Sequence, residues 1–451
     1  MTRVGAAVVD ITPPPGGAMA GFAARQDAAR GGHDALSARA LVVDDTAFVS
    51  VDVIGIDAAF SARIRRLCPL PDGNVTIAAT HTHGGPVSMP GRLSVAADPA
   101  YLQALERGVL LAIEQAAGAR EPARLYAGCG AEPGFAANRR HADGPVDRGV
   151  PVMRFDRMDG STIAHLVSYA CHPVVLGADN LLWTADYPHF ARRALEEACP
   201  GSVAVFATGC AGDVNTGHSA AASLSAGYQA DRTYARAMTI GEGVAQSALA
   251  AEMVAVSGPI GCAEAFADLR FESRESGTAD ELARAWRAAS RSPGDIHHIW
   301  ADWAGRQMGR DLEPMQARCT ALSWGGVLIL SLPGEIFART ALELRRSLGR
   351  DGPDHVIAYA DDNPGYIPPL DEYAVGGYEV DEAHRFYGMG ASIAPGVAEA
   401  LSSAAQRAAE IAAKPTAADC TIKKVQHERE IQCHRMTKAR HWGTRSHCRR
   451  A

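Results

Sequence analysis

Two histidines stand two residues apart at the end of a short apolar run, in the segment Thr80-His81-Thr82-His83. The run before them, Val75–Ala79, has the composition of a buried β-strand, and a Gly-Gly-Pro turn follows. On an extended backbone, His81 and His83 point to the same side. Imidazoles at a strand end can hold a metal ion or transfer protons. Because the His-x-His pattern also occurs by chance, the rest of the chain has to decide its meaning.

Two further apolar runs also end in polar groups that can bind a metal. His172 follows one run and precedes Pro173, which cannot continue a strand ladder. Glu335 follows the run Val327–Leu332 and a Pro-Gly turn. Two histidines and a carboxylate are a typical catalytic zinc set that leaves a position for water. Each residue alone also has a structural explanation: a histidine in a loop, or a glutamate in the first turn of a helix.

The elements that would position these residues alternate between strand and helix patterns. The predicted strands are Ala6–Ile11, Ala40–Val43, Phe48–Val53, Val75–Ala79, Val150–Phe155, Ile163–Ala170, Val203–Thr208, Leu322–Leu332 and His355–Tyr359. The predicted helices are Ala59–Cys68, Tyr101–Ala117, Tyr187–Ala198, Tyr228–Glu252, Glu281–Arg291 and Ala338–Leu348. The alternation predicts an α/β fold. Only Asp44-Asp45 separates two of the strands, which indicates a hairpin and therefore mixed β-sheets with flanking helices.

We expect residues 1–414 to form a single large catalytic domain. Residues 257–320 are less regular and predict a helical insertion, which could cover a site or have a plain structural role. Residues 415–451 predict a disordered basic tail, since nine Lys or Arg face two Glu from residue 421 onward. A small zinc or nucleic-acid module is the alternative for the tail, but the spacing of its Cys and His residues matches no standard zinc module.

The composition is that of a globular enzyme, with 451 residues, 47% hydrophobic and 21% charged. The net charge of −7 argues against a general nucleic-acid binder, and residues 1–420 alone carry −14. Ten cysteines without a Cys-x-x-Cys pair favour a reduced environment. The N-terminus shows no secretory leader, and no apolar run is long enough to span a bilayer. These features predict a cytoplasmic protein without a transmembrane segment and leave the oligomeric state unknown.

Motifs with possible chemistry follow one another across residues 4–412. They are Gly5–Pro13 with Ala20-Gly21-Phe22, His33–Ala40, Thr80–Pro86, Asn138-Arg139, Cys171-His172-Pro173, Gly212-Asp213-Val214, Leu332–Glu335, and Asn363–Ile367 with Tyr378-Glu379. This series resembles the N-terminal catalytic domain of the neutral/alkaline non-lysosomal ceramidases, a family of zinc amidases. The resemblance therefore implies a ceramidase-like fold.

The resemblance also implies one Zn²⁺ per chain and a role for each matching residue. The positions that match zinc ligands are His81, His172, Glu335 and Tyr366. The positions that match residues acting on the substrate are His83, which handles protons, and Arg139 and Tyr378, which stabilise the carbonyl oxygen. Asp213 is a candidate for orienting a ligand or its loop, and a simple turn residue is the alternative. All these positions carry competent side chains, which argues against an inactive relative.

The activity that the resemblance implies is zinc-dependent hydrolysis of a small-molecule N-acyl amide, with sphingolipids among the candidate substrates. Three departures concern the substrate: we see no secretion signal, no C-terminal immunoglobulin-like domain, and no counterpart of the family's serine-containing segment after Asp213. A smaller or more polar N-acyl compound is therefore also a candidate. Alternatives are a zinc hydrolase of a non-lipid amide or ester, a non-catalytic metal-binding homologue, and a nucleic-acid partner bound through the tail, although none is expected for the main domain.

Overall fold

The computed structural model describes residues 1–93, 97–220, 229–291, 295–350 and 352–414. The helices in these ranges are α1 (Ala58–Leu67), α2 (Pro99–Gly118), α3 (Tyr187–Ala198), α4 (Tyr234–Leu249), α5 (Ala279–Ala289), α6 (Ile296–Arg306), α7 (Ala338–Ser347), α8 (Glu372–Val375) and α9 (Val397–Ala412). None of these helices combines the length and apolar character needed to cross a membrane.

The strands are more numerous than the helices, and many are short. In chain order they are β1 (Arg3–Asp10), β2 (Gly31–Gly32), β3 (Ser37–Val43), β4 (Thr46–Val51), β5 (Val75–Ala79), β6 (Glu121–Ala131), β7 (Ala137–Asn138), β8 (Gly149–Arg157), β9 (Thr162–Tyr169), β10 (Leu182–Trp183), β11 (Val203–Thr208), β12 (Val214–Asn215), β13 (Val254–Val256), β14 (Gly261–Leu269), β15 (Phe271–Glu272), β16 (Met315–Trp324), β17 (Val327–Ser331), β18 (Glu335–Ile336), β19 (His355–Ile357), β20 (Tyr366–Ile367) and β21 (Ser392–Ile393). The fold is thus the mixed α/β type that the sequence predicts.

The largest sheet has the strand order β11-β9-β8-β6-β1-β3-β4-β5, with β13 paired to β6. Its two end pairs, β4–β5 and β9–β11, are parallel. The sheet curls until these ends meet: the Ser50 hydroxyl donates to the Phe206 carbonyl at 2.6 Å, and the Thr208 hydroxyl donates to the Thr80 carbonyl at 2.6 Å. Strands far apart in the sheet order therefore end close together in space.

A second sheet, β14-β16-β17-β19, packs against the inner face of the first. Side chains such as Phe48, Phe155, Trp324 and Ile329 fill the space between the two sheets. Helix α2 covers the outer face of β1 and β3, α3 covers β11, α4 covers β6 and β8, and α9 covers β14 and β16. At the curled edge, single β-bridges join Ala78 to Ala360 and link β19 to the chain just after β11. The carboxyl ends of β5, β11 and β19 consequently lie side by side.

The predicted elements correspond closely to the observed ones, with instructive exceptions. The interval Val75–Ala79 and the helix Tyr187–Ala198 match β5 and α3 to the residue, and Asp44 lies in the β3–β4 hairpin at φ +50°. The prediction of a single strand over Leu322–Leu332 is wrong. This segment contains parts of two antiparallel strands, because Gly325 and Gly326 form a turn between them at φ +67° and +88°.

The segment 257–320 is only partly helical. Helices α5 and α6 lie in its middle, but β14 and the first half of β16 at its ends belong to the second sheet. The helical part of this predicted insertion is therefore a hairpin of two helices between β15 and β16. The division at residue 414 stays a prediction, and the basic tail 415–451 lies outside the described residues.

Candidate metal centre

Backbone turns at the curled edge bring three histidines together. His81 follows β5 at φ +64°, a conformation that few non-glycine residues adopt and that marks local strain. His83 packs against Gly21, where a Cβ would lie 2.6 Å from the imidazole ring and φ is +99°. His172 follows β9, and its backbone N–H donates to the Val214 carbonyl at 3.0 Å. The candidate ligand atoms of the three imidazoles lie within 4.8 Å of one another.

Each imidazole is oriented by a backbone carbonyl. Nδ1 of His81 donates to the Ile54 carbonyl at 2.6 Å, Nδ1 of His172 to the Ala211 carbonyl at 2.5 Å, and Nδ1 of His83 to the Gly21 carbonyl at 2.9 Å. A carbonyl oxygen can only accept, so the hydrogen is on Nδ1 in each case. The Nε2 atom of each neutral ring therefore presents a lone pair, as in histidines that ligate metals.

The Nε2 atoms of His81 and His172 converge with one carboxylate oxygen, and Nε2 of His83 lies next to that of His81. Nε2 of His81 lies 3.1 Å from Nε2 of His172 and 3.4 Å from Nε2 of His83. The Oε2 atom of Glu335 lies 2.9 Å from Nε2 of His172 and 3.4 Å from Nε2 of His81. Ligands about 2.0–2.1 Å from a tetrahedral zinc ion are roughly 3.3 Å apart, so these spacings fit a zinc ion.

The electrostatics of the cluster favour the neutral form of the His83 and His172 imidazoles. Burial lowers the pKa of His172 to about 4, and burial together with the neighbouring His81 and His172 holds the pKa of His83 well below its usual range. Burial alone would raise the pKa of Glu335, but His81 and His172 outweigh it and lower that pKa strongly. Imidazole nitrogens and a carboxylate that face one another in this way can share a bound cation.

Glu335 reaches the cluster through a tight turn and is held there by a tyrosine. Gly334 takes φ +75° in that turn, and the next residue begins β18, which pairs in parallel with β20. Tyr387 donates its hydroxyl to Oε1 of Glu335. Since Oε1 is occupied in this way, Oε2 is the oxygen that faces the imidazoles. Tyr387 was not identified from the sequence, where it lies in an unremarkable Phe-Tyr-Gly segment.

Tyr366 lies beside this cluster and contacts an arginine. It is the register partner of Glu335 in the β18–β20 pair, and its ring stacks near His172 with centroids 6.4 Å apart. Its hydroxyl accepts from Arg139 at 3.0 Å. The ring of Tyr378 lies 5.8 Å from that of Tyr366. The two tyrosines and the arginine that the resemblance singles out thus form one group next to the histidines and Glu335.

Arg139 is fixed by a carboxylate that the sequence reasoning did not assign a role. Nε of Arg139 donates to Oε1 of Glu379 at 2.8 Å, and Arg140 donates to Oε2 of the same carboxylate at 2.5 Å. Arg140 also pairs with Glu372 at 2.9 Å. Glu379 directly follows Tyr378, so one short segment both holds Arg139 and carries a candidate catalytic hydroxyl. The position of Glu379 next to a matched tyrosine was the one available sequence signal.

Asp213 supports the loops of the site through hydrogen bonds with Asn138, Arg139 and Ala338. Its carboxylate accepts from the Asn138 side chain at 2.6 Å and from the Ala338 backbone N–H at 2.8 Å. Its backbone carbonyl accepts from the Arg139 N–H at 2.8 Å. Asp213 thus joins the loop of Arg139 to the start of α7, which follows Glu335. These contacts favour the loop-orienting role over that of a simple turn residue.

Tyr359 is another neighbour of the centre that the sequence did not indicate. Its ring stacks on His81 with centroids 4.1 Å apart and an interplanar angle of 19°. The residue has φ +57° and is fully buried. Among the described residues its hydroxyl has no hydrogen-bond partner. Strained backbone and an unsatisfied buried hydroxyl both occur typically at functional sites.

A cavity of about 800 Å³ is lined in part by Phe22 and Phe386, which are aromatic neighbours of His83 and Tyr378. Phe22 in its wall lies 4.9 Å from the His83 ring, and Phe386 lies 6.1 Å from the Tyr378 ring, both measured between centroids. Helix α6 forms another wall with Ile299, Asp302 and Trp303, among others. The lining of this cavity, which we call the α6 cleft, mixes apolar and charged side chains.

Comparison with known proteins identifies relatives of this architecture. A sequence model of the neutral/alkaline non-lysosomal ceramidases, N-terminal part, matches residues 3–236. The structure of neutral ceramidase from Pseudomonas aeruginosa superposes with a TM-score of 0.71 at 20% identity, covering 91% of this chain and 74% of that one. A ceramidase complexed with C2 gives a TM-score of 0.69 at 18% identity, covering 91% and 75%. These structures are similar in fold, and the sequence match extends over half of the chain, so the chain belongs to the neutral/alkaline non-lysosomal ceramidase family.

Proposed function

We propose that this protein is a zinc-dependent amide hydrolase that cleaves an N-acyl amide. The observation that carries the proposal is the convergence of His81, His172 and Glu335, whose facing atoms are acceptors at spacings that suit zinc. These three residues would hold the ion, with Tyr366 as the fourth ligand that the family resemblance suggests. The chemistry that zinc supplies when bound is Lewis acidity, which lowers the pKa of a water molecule and polarises a carbonyl group.

His83 is placed to move the proton of the reaction. It is half-buried, while His81 and His172 are fully buried, and its ring packs against Phe22, which lines the α6 cleft. Its Nδ1 hydrogen is committed to the Gly21 carbonyl, so Nε2 is the atom that would accept a proton from water and pass it to the leaving amine. The low pKa of His83 keeps Nε2 available as a base at neutral pH.

Arg139 and Tyr378 would stabilise the negative charge that develops on the carbonyl oxygen. They lie on the same side of the cluster, next to Tyr366, and Glu379 holds the guanidinium in place. A fixed donor at such a position typically contributes about 3 kcal/mol to the barrier reduction. The α6 cleft would take the remainder of the substrate, and its mixed lining fits an amphiphilic N-acyl amide, whether a sphingolipid or a smaller compound.

A hydrolysis screen tests this proposal. We expect turnover of N-acyl amides, with ceramide in the series, to depend on acyl length, to stop with a chelator and to return with zinc. His81→Ala should abolish both metal binding and turnover, while His297→Ala, on the exposed part of α6, should leave both unchanged. Turnover of the matched esters alone would favour the ester-hydrolase alternative. Stoichiometric zinc without turnover of any amide or ester would favour a non-catalytic metal-binding homologue.

A further inference from the structure

Arg385 is enclosed by three indole rings and a carboxylate. Its guanidinium carbon lies 4.4 Å from the ring centroid of Trp300, 5.0 Å from that of Trp286 and 5.8 Å from that of Trp303. In the same place it donates to Oε1 of Glu275 at 2.8 Å. Its side chain is 8% exposed, so these contacts are shielded from water.

The three indoles that surround Arg385 belong to the helical hairpin, whereas Glu275 lies just before it. Trp286 lies on α5, whereas Trp300 and Trp303 lie on α6. Arg385 lies in the segment Tyr378–Met389, which also contains Glu379 and Tyr387. That segment makes further contacts with the hairpin, since Trp303 Nε1 donates to the Met389 carbonyl at 2.7 Å.

The segment Tyr378–Met389 carries three side chains that touch the centre. Tyr378 lies beside Tyr366, Glu379 holds Arg139, and Tyr387 holds Glu335. Its backbone is irregular, with a π-helical turn at Tyr378–Glu382 followed by a 3-10 turn, so regular helical hydrogen bonding does not set its position. The contacts of Arg385 fix the position of this segment relative to the neighbouring hairpin.

We propose that Arg385 is a positioning residue for the hydrolytic reaction, which clamps the segment Tyr378–Met389 to the α5–α6 hairpin and thereby sets the place of Tyr378. The proposal rests on the proposed function. Arginine suits this task because a planar guanidinium can stack on indoles while its N–H groups donate in plane to a carboxylate. Lysine keeps the charge but cannot make both kinds of contact at once. The same clamp shapes the α6 cleft, whose lining includes Arg385, Phe386 and Trp303.

The experiment compares Arg385→Met and Arg385→Lys with Arg284→Met, an exposed arginine on α5. We expect both Arg385 variants to lower kcat at least tenfold with metal content unchanged, and Arg284→Met to behave as the wild type. Amide hydrogen exchange of the peptide covering 378–389 should rise in the Arg385 variants and nowhere else outside the hairpin. If Arg385→Met does not fold, Arg385→Lys carries the test.

A double variant separates positioning from general stability. If Arg385 acts through Tyr378, then Arg385→Met should lower kcat less than twofold in a Tyr378→Phe background. A tenfold loss of kcat in both backgrounds would overturn the proposed clamp. So would an active enzyme in which Arg385→Met changes neither kcat nor the hydrogen exchange of the segment Tyr378–Met389. A wild-type protein without hydrolytic activity would overturn the proposed function instead, and the exchange measurement would still show whether Arg385 holds the segment.

Discussion

Replacing Glu379 with glutamine tests the charge arrangement that holds Arg139 beside the candidate centre. Glu379, Arg139 and Arg140 have side chains only 3%, 5% and 7% exposed. The neutral amide keeps the shape of the side chain but leaves two buried guanidinium groups without their shared carboxylate. Arg140 retains Glu372, whereas Arg139 retains the Tyr366 hydroxyl. Breaking a buried pair from one side typically costs 3–5 kcal/mol, and we expect Glu379→Gln to lower the free energy of unfolding by about 3 kcal/mol.

Urea unfolding at pH 7 measures this change, with Glu197→Gln as the matched control. Glu197 is 70% exposed and lies 3.6 Å from Arg193, so its loss should cost less than about 1 kcal/mol. A Glu379→Gln variant within 1 kcal/mol of the wild type would refute the reasoning. It would mean that Tyr366 and Glu372 are sufficient to hold the two arginines.

The pH dependence of the same variant gives an independent check. Burial alone would raise the pKa of Glu379, but Arg139 and Arg140 outweigh it and lower the pKa below its ordinary value of 4.5. A carboxyl group of this kind stabilises the fold fully above its unfolded pKa, and the stabilisation is lost as pH falls through the folded value. The difference between the wild type and Glu379→Gln should therefore be constant above pH 5 and shrink below about pH 4.5.

Three further substitutions probe separate features of the centre. His172→Ala should reduce zinc from about one to less than 0.1 per chain by elemental analysis with the circular dichroism spectrum retained; full zinc occupancy would remove His172 from the ligand set. Tyr378→Phe should keep zinc and lower kcat about 100-fold in the amide assay, whereas wild-type kcat would exclude Tyr378 as an oxyanion donor. Tyr359→Phe should leave the free energy of unfolding unchanged or raise it by up to about 1 kcal/mol, since its hydroxyl has no partner among the described residues; a loss above 1 kcal/mol in urea unfolding would reveal a hydrogen bond.

The elements that local sequence predicts well are those with a strong apolar pattern and clear ends. Strand β5 is apolar except for Thr76 and is followed by polar residues and a glycine turn, and α3 begins after Asp186, which accepts from the Tyr187 N–H. Strand β6 was missed because its Arg, Gly and Pro residues interrupt the alternation expected of a strand. Its pairing with β8 and β1 compensates for that weak local preference.

The residues of the candidate site also differ in how well the sequence predicts them. The sequence indicates His81, His172 and Glu335 as polar groups at strand ends, and the family resemblance adds Tyr366, Arg139 and Tyr378. The sequence gives no indication that Tyr387 or Tyr359 belongs to the site, because an aromatic residue in an irregular segment is usually part of the core. Tyr387 contacts Glu335, which lies 52 residues away in the sequence, and Tyr359 contacts His81, which lies 278 residues away.

Local sequence is sufficient to predict which strands end in imidazole or carboxylate, because an apolar run, a turn glycine and a proline act over a few neighbouring residues. The meeting of these strand ends depends on long-range packing. Strands β5 and β9 lie near opposite ends of one sheet, and Glu335 lies in the short strand β18, just after β17 of the second sheet. The curl of the first sheet and the packing of the second into it place their side chains within 3.4 Å of each other. Such packing depends on side-chain contacts distributed over the whole core, which no local pattern contains.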